Sequence, residues 1–231
     1  MNPQSLIGPM VKFAAAACVA ASFGTAVQAN EPVVIASDNA STTNYPGGTW
    51  SNGSNGGSGF GPWTIASSNG TSGFAGAFIG NPATAGITGI ANPSFGLYAN
   101  PGGSGATVTV SRSFNLPLRV GDSFSFQWAT NWDSDGGNKG FNIFAGGSQI
   151  VNVNQASFPG NITFNDALAI DGSTGYGSAP MTWTFTRTTE TNLEVTSTAR
   201  DGSSTIAFTS SITLSSAPTG FSFYSTGMGA G

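Results

Sequence analysis

Histidine is absent from the 231 residues, and cysteine occurs once, at Cys18. These gaps remove Ser-His-Asp and Cys-His catalytic sets, the commonest zinc ligands and any disulfide within the chain. Charge is scarce as well: six Lys or Arg stand against ten Asp or Glu. After Lys12 the basic residues are Arg112, Arg119, Lys139, Arg187 and Arg200, which form no cluster in the sequence. Nucleic acid and anionic membranes call for clustered Lys and Arg, so the composition argues against both as partners. No stretch approaches the roughly 20 consecutive apolar residues of a membrane-spanning helix. Helical 3.6 spacing is also missing beyond the N-terminal segment.

What is present begins with a leader. Lys12 precedes an alanine-rich apolar run from Phe13 to about Ala21, and Val27-Gln28-Ala29 follows with small residues. The pattern predicts a signal peptide over 1–29 and a single mature domain over 30–231, secreted to the extracellular space or cell surface, with the periplasm as the alternative. Cys18 would leave with the leader. A lipoprotein signal is the competing reading, disfavoured because Lys12 lies close and Ala15-Ala16-Ala17 lacks the usual leucine. A mature chain without disulfides must rely on an apolar core, which roughly 200 residues can bury in one domain.

Gly, Ser, Thr and Asn dominate the remainder, interleaved with aromatics at a period of two. In SFSFQWAT, Phe124, Phe126 and Trp128 share one face and Ser123, Ser125 and Gln127 the other, the pattern of a half-buried strand. Ala106/Val108/Val110, Met181/Trp183/Phe185, Leu193/Val195 and Phe221/Phe223 repeat it. Further strands are expected at Val33–Ala36, Gly61–Ala66, Phe74–Gly80, Phe95–Ala99, Phe141–Ala145, Gln149–Asn154 and Thr205–Thr209. Gly146-Gly147 and Asp201-Gly202 are expected to close tight hairpins, and Asn52-Gly53 marks a turn. Tyr45–Gly61 is rich in glycine yet holds Trp50 and Phe60, so it reads as a long ordered loop. A dozen short strands without helices predict an all-β protein of two packed antiparallel sheets.

The order of local patterns is SDNAS, GTWSNGSNGGSGFGPWTI, AFIGNP, PSFGLYANPGG and LRVGDSFSFQWATNWDSDGGNKGFNIF. It resembles a group of secreted bacterial proteins with a concanavalin-A-like jelly-roll sandwich, some of which carry C-terminal sorting signals. The resemblance covers about Ala36 to Phe223. It implies a two-sheet antiparallel jelly roll and says little about activity, because that architecture hosts lectins, glycosidases and structural proteins alike. It also implies one more strand beyond FSFYSTGMGAG. A sheet lacking that strand would have an edge able to accept one from a neighbour, with Glu31–Ser37 as the donor, so self-assembly into a surface, matrix or filament layer is the alternative function.

Three chemistries are weighed at named residues. Concanavalin-like glycosidases set alternate carboxylates along a strand, and Glu190-Thr191-Asn192-Leu193-Glu194 mimics that arrangement. The strand phase instead puts Glu190 in a turn and Glu194 on the solvent face, so no catalytic residue is assigned and an enzyme is disfavoured. Asp133, Asp135 and Asn138 offer oxygen ligands in a glycine-bent loop, which suits calcium, although a plain polar turn has the same composition. Trp50, Tyr98 and Trp132 lie among Asn and Asp residues and are the candidates for stacking on a glycan or another extracellular polymer. Trp63, Trp128 and Trp183 are expected in the core. The expected function is non-catalytic polymer binding by the loops around Trp50 and Asn131–Asn138.

Overall fold

Thirteen strands and two short 3-10 turns account for the regular structure in a computed structural model that describes residues 33–71, 73–100, 105–130, 137–156, 161–170, 180–201 and 204–227. The strands are β1 (Thr64–Ser68), β2 (Phe74–Gly80), β3 (Ser94–Asn100), β4 (Thr107–Ser113), β5 (Ser123–Trp128), β6 (Asn138–Ala145) and β7 (Ser148–Ala156). They continue with β8 (Ile162–Phe164), β9 (Ala167–Ile170), β10 (Met181–Thr189), β11 (Asn192–Asp201), β12 (Ser204–Thr213) and β13 (Pro218–Thr226). The expected signal peptide over 1–29 lies outside the described residues. Among those described, no helix is long and apolar enough to cross a membrane.

All pairings between these strands are antiparallel. A large sheet runs β1-β4-β13-β6-β7-β8-β9, a smaller one runs β12-β11-β10-β5, and β2 and β3 form a separate ribbon. The two sheets face each other through their aromatic rows. Phe126 meets Phe141 at 4.8 Å and Phe223 at 4.9 Å, Phe124 meets Phe221 at 4.8 Å, and Phe141 meets Trp183 at 5.2 Å. Val108, Val110, Ile143, Val151, Val153, Leu193 and Val195 fill the layer between them. Each such side chain stabilises the fold by about 1.5–3 kcal/mol on burial, and well-placed ring pairs add about 0.5–1.5 kcal/mol. The chain is therefore an all-β protein of packed antiparallel sheets, as the alternation predicts. Trp63 and Trp183 are buried, and Trp128 is half-buried against Phe141.

The ribbon covers one end of this layer. β2 and β3 pack against β1, β4 and β13, and they turn Ala75, Ala77, Ile79, Phe95, Leu97 and Ala99 toward the core. The loop 45–61 is ordered, as expected, and is clamped to the segment before it. Ser37 and Ser58 exchange two backbone hydrogen bonds, at 3.0 and 2.8 Å. Gly59 has φ +77° and lies so close to Ala36 that a Cβ there would fall 2.4 Å from it, which explains the glycine at this position.

Two local expectations differ from the structure. Val33–Ala36 is not a strand: beyond the Ser37–Ser58 bridge the segment has no ladder, and Val34 and Ile35 stand 78% and 48% exposed. The β8–β9 hairpin was not expected. Its signal was the turn dipeptide Asn165-Asp166, whose residues adopt φ 47° and 67°, the mirror-image turn that joins tight hairpins. Gly146-Gly147 makes the expected equivalent turn between β6 and β7, with φ 56° and 82°. Asp201 pairs with Ser204, and Gly202 lies outside the described residues.

Candidate functional site

Of the described residues proposed for ligand contact, Trp50 and Tyr98, the fold presents Tyr98 to solvent. It lies on the outer face of the ribbon, where the register sets Gly76 opposite Tyr98 and Phe78 opposite Gly96. The absence of a side chain on each glycine lets the ring opposite lie down across the backbone. A Cβ at Gly96 would come 2.3 Å from Phe78 Cζ, and one at Gly76 would come 2.7 Å from Tyr98 Oη and 2.9 Å from its Cζ. Phe78 and Tyr98 have ring centroids 6.1 Å apart, and Phe74 shares their face one pair further along. The three rings remain 67% (Phe74), 47% (Phe78) and 39% (Tyr98) exposed. Asn100 and Ser94 bring polar groups to the two ends of the same face. The arrangement is a short platform of rings with their poses fixed from below.

Trp50 is elsewhere. It is 7% exposed, with its ring 4.6 Å from Phe95 and 5.1 Å from Trp63 in an edge-on contact, so it offers no face to a ligand. The loop 45–61 folds inward and uses it to close the end of the core beneath the ribbon. Trp132, Asp133 and Asp135 lie outside the described residues. Asn138, the third residue of the calcium set, opens β6 and faces outward from the large sheet, where its Oδ1 accepts from Asn154 Nδ2 at 2.9 Å. The structure thus does not bring Trp50, Tyr98 and Asn138 together.

The acidic residues weighed for catalysis occupy the positions that strand phase predicts. Glu190 sits in the turn between β10 and β11 and accepts from Arg187 Nη2 at 2.5 Å, while Arg187 Nη1 donates to the Leu118 carbonyl at 2.9 Å. Glu194 is exposed on the outer face of the smaller sheet.

A polar cluster that sequence reasoning missed lies beneath the ribbon. Arg112 occupies a core-facing position on β4, where alternation would put an apolar residue. Its Nη1 donates to Asp38 Oδ2 at 2.5 Å, its Nε to the Gly61 carbonyl at 2.7 Å, and its Nη2 to Asn55 Oδ1 at 2.7 Å. Phe60 and Trp63 flank the guanidinium at 5.0 and 5.1 Å. Tyr45 Oη also donates to Asp38 Oδ2 at 2.5 Å, and Trp63 Nε1 donates to Tyr45 Oη at 2.8 Å. Burial pushes the Asp38 carboxyl up and the Arg112 guanidinium down from their ordinary values, and the Tyr45, Trp63 and Arg112 contacts oppose the shift at Asp38. With its donors so engaged, this is a clasp that ties the loop 45–61 to β4. Removing one partner of such a buried pair costs about 3–5 kcal/mol. Its signal in the sequence was Arg112 itself, a cation continuing the inward row of Val108 and Val110.

The class defined by these features is an all-β, antiparallel two-sheet protein with an aromatic platform on its flank. No protein-family profile, curated protein or solved structure matches the chain.

Proposed function

We propose that the protein is a secreted jelly-roll module that binds a neutral extracellular glycan, or another uncharged polymer, without catalysis, through the outer face of the β2–β3 ribbon. The observation that carries this reading is the seating of Phe78 and Tyr98 over Gly96 and Gly76, which spends apolar surface on solvent at a place where the core needs none. Flat rings held in one pose lose little entropy on binding, and sugar rings offer C–H faces to stack on them. The low charge of the chain suits an uncharged partner. Secretion rests on the leader pattern of residues 1–29.

The test is retention on insoluble cellulose, chitin and xylan. Wild-type protein is expected to be depleted by at least one of them, with affinity falling about tenfold or more in the Phe78→Ala/Tyr98→Ala double variant, a loss of roughly 1.4 kcal/mol. Depletion by none, or depletion untouched in that variant, removes the reading. Sensitivity to Trp132→Ala alone would move the site to the loop 131–138.

Exposed Val34 and Ile35 favour a second reading, a self-assembling surface or matrix subunit that pairs strands between copies. Concentration-dependent oligomers on size exclusion, abolished by Val34→Lys/Ile35→Lys, are its expected signature. A monomer at every concentration excludes it.

A further inference from the structure

The outward face of the large sheet carries a second feature, separate from the ribbon. Across β1, β4, β13, β6 and β7 the register aligns Thr64, Ser111, Ser222, Asn142 and Asn152 in one polar row. Within it the amides point in one direction. Asn152 Nδ2 donates to Asn142 Oδ1 at 2.9 Å, and Asn142 Nδ2 donates to Ser222 Oγ at 3.0 Å. The other hydrogen of Asn152 Nδ2 goes to Tyr224 Oη at 3.0 Å, and Tyr224 Oη in turn reaches Asn154 Oδ1 at 3.0 Å. Burial pushes the Tyr224 phenol above its ordinary range, so the hydroxyl keeps its proton.

The chain of donors ends at a groove. Ser222 accepts from Asn142, which leaves its own O–H to donate, and Ser222, itself 3% exposed, lines an open depression of about 430 Å³ together with Thr109, Ser111, Phe144, Thr219 and Pro62. Gly220 lies between Ser113 on β4 and Phe144 on β6 and also lines the depression. Phe144, half-buried, forms an apolar wall beside the hydroxyls. Hydrogen bonds that run in one direction polarise one another, so the last hydroxyl in the series is a stronger donor than an isolated serine.

We propose that this groove binds a single neutral sugar unit, with Ser222 donating to a ring or hydroxyl oxygen, Ser111 and Thr109 serving neighbouring hydroxyls, and Phe144 packing against the C–H face. The inference extends beyond the ribbon, and the two fail separately.

Saturation-transfer NMR on the full chain, with D-glucose, D-galactose, D-xylose and N-acetyl-D-glucosamine as probes, tests it. At least one sugar is expected to bind. Affinity should fall tenfold or more in Ser222→Ala, which deletes the donor, and in Ser111→Phe, which fills the groove. It should persist in Phe78→Ala/Tyr98→Ala, whatever that variant does to retention on insoluble polymer. Thermal melts accompany both groove variants, and if Ser222→Ala is unfolded then Ser111→Phe decides. Binding of none of the four sugars, or binding unmoved by the folded groove variants, overturns the proposal.

Discussion

The β10–β11 hairpin and the β2–β3 ribbon are both built on antiparallel alternation, yet the hairpin confines its bulk to one face and the ribbon carries it on both. In the hairpin the large groups point inward: Met181, Trp183, Phe185, Leu193 and Val195 are fully buried, while Thr182, Thr184, Glu194 and Thr198 face solvent. In the ribbon the inward row mixes Ala75, Ala77 and Ala99 with Ile79, Phe95 and Leu97, and the outward row also carries large rings, Phe74, Phe78 and Tyr98. Folding accounts for the first arrangement, because burying the larger apolar surface is what drives the sheets together. Burial of this kind does not account for the second, in which three rings are left partly in water on a face interrupted by glycines. The difference separates side chains that make the fold from side chains available for another task.

The sharpest way to break this comparison is to truncate a ring on each element. Trp183→Ala is expected to cost about 3–5 kcal/mol in denaturant unfolding, since it empties a fully buried site. On the outer face of the same strand, Thr184→Ala should stay within about 0.5 kcal/mol. The Phe78→Ala/Tyr98→Ala variant should lie much nearer the threonine than the tryptophan, with its principal effect on polymer retention. A ribbon variant as costly as Trp183→Ala would mean that the exposed rings hold the fold together, and the functional contrast between the two elements would disappear.

This contrast also explains what was legible in the sequence. Alternation specifies which face of a strand is apolar, so the all-β character, the bounds of β2, and the inward set Phe124, Phe126, Trp183 and Phe185 could all be read from it. Turn chemistry located the β6–β7 hairpin but was overlooked at Asn165-Asp166, where the flanking runs are only three and four residues long. The site was harder to read. Trp50 looks like a surface residue in a loop of Gly, Ser and Asn, and only the tertiary fold of that loop turns it inward. Tyr98 could be proposed from its polar neighbours, whereas its partnership with Gly76, Phe78 and Gly96 depends on the pairing register of two strands, which no local pattern specifies. The Asn152–Asn142–Ser222 series was hidden for the same reason: Asn142 and Asn152 face each other across the β6–β7 hairpin, but Ser222 lies 80 residues beyond Asn142 on β13.

A single methyl group gives the finest test of the ribbon. Alanine is intrinsically better than glycine inside a strand by about 0.5–1 kcal/mol. At Gly96, however, its Cβ would lie 2.3–2.8 Å from three atoms of the Phe78 ring, with no backbone atom as close. The ring is the movable partner, so Gly96→Ala should lift Phe78 off the sheet while unfolding free energy changes by less than about 1 kcal/mol. If the platform binds its polymer through rings lying flat, retention falls several-fold in this variant and the near-ultraviolet circular dichroism of the aromatic residues changes with it. If glycine is there only to relieve crowding between strands, the ring signal shifts and retention does not. That second outcome would leave Phe78 as a cover for the glycine backbone and Tyr98 as the ribbon's remaining candidate for ligand contact.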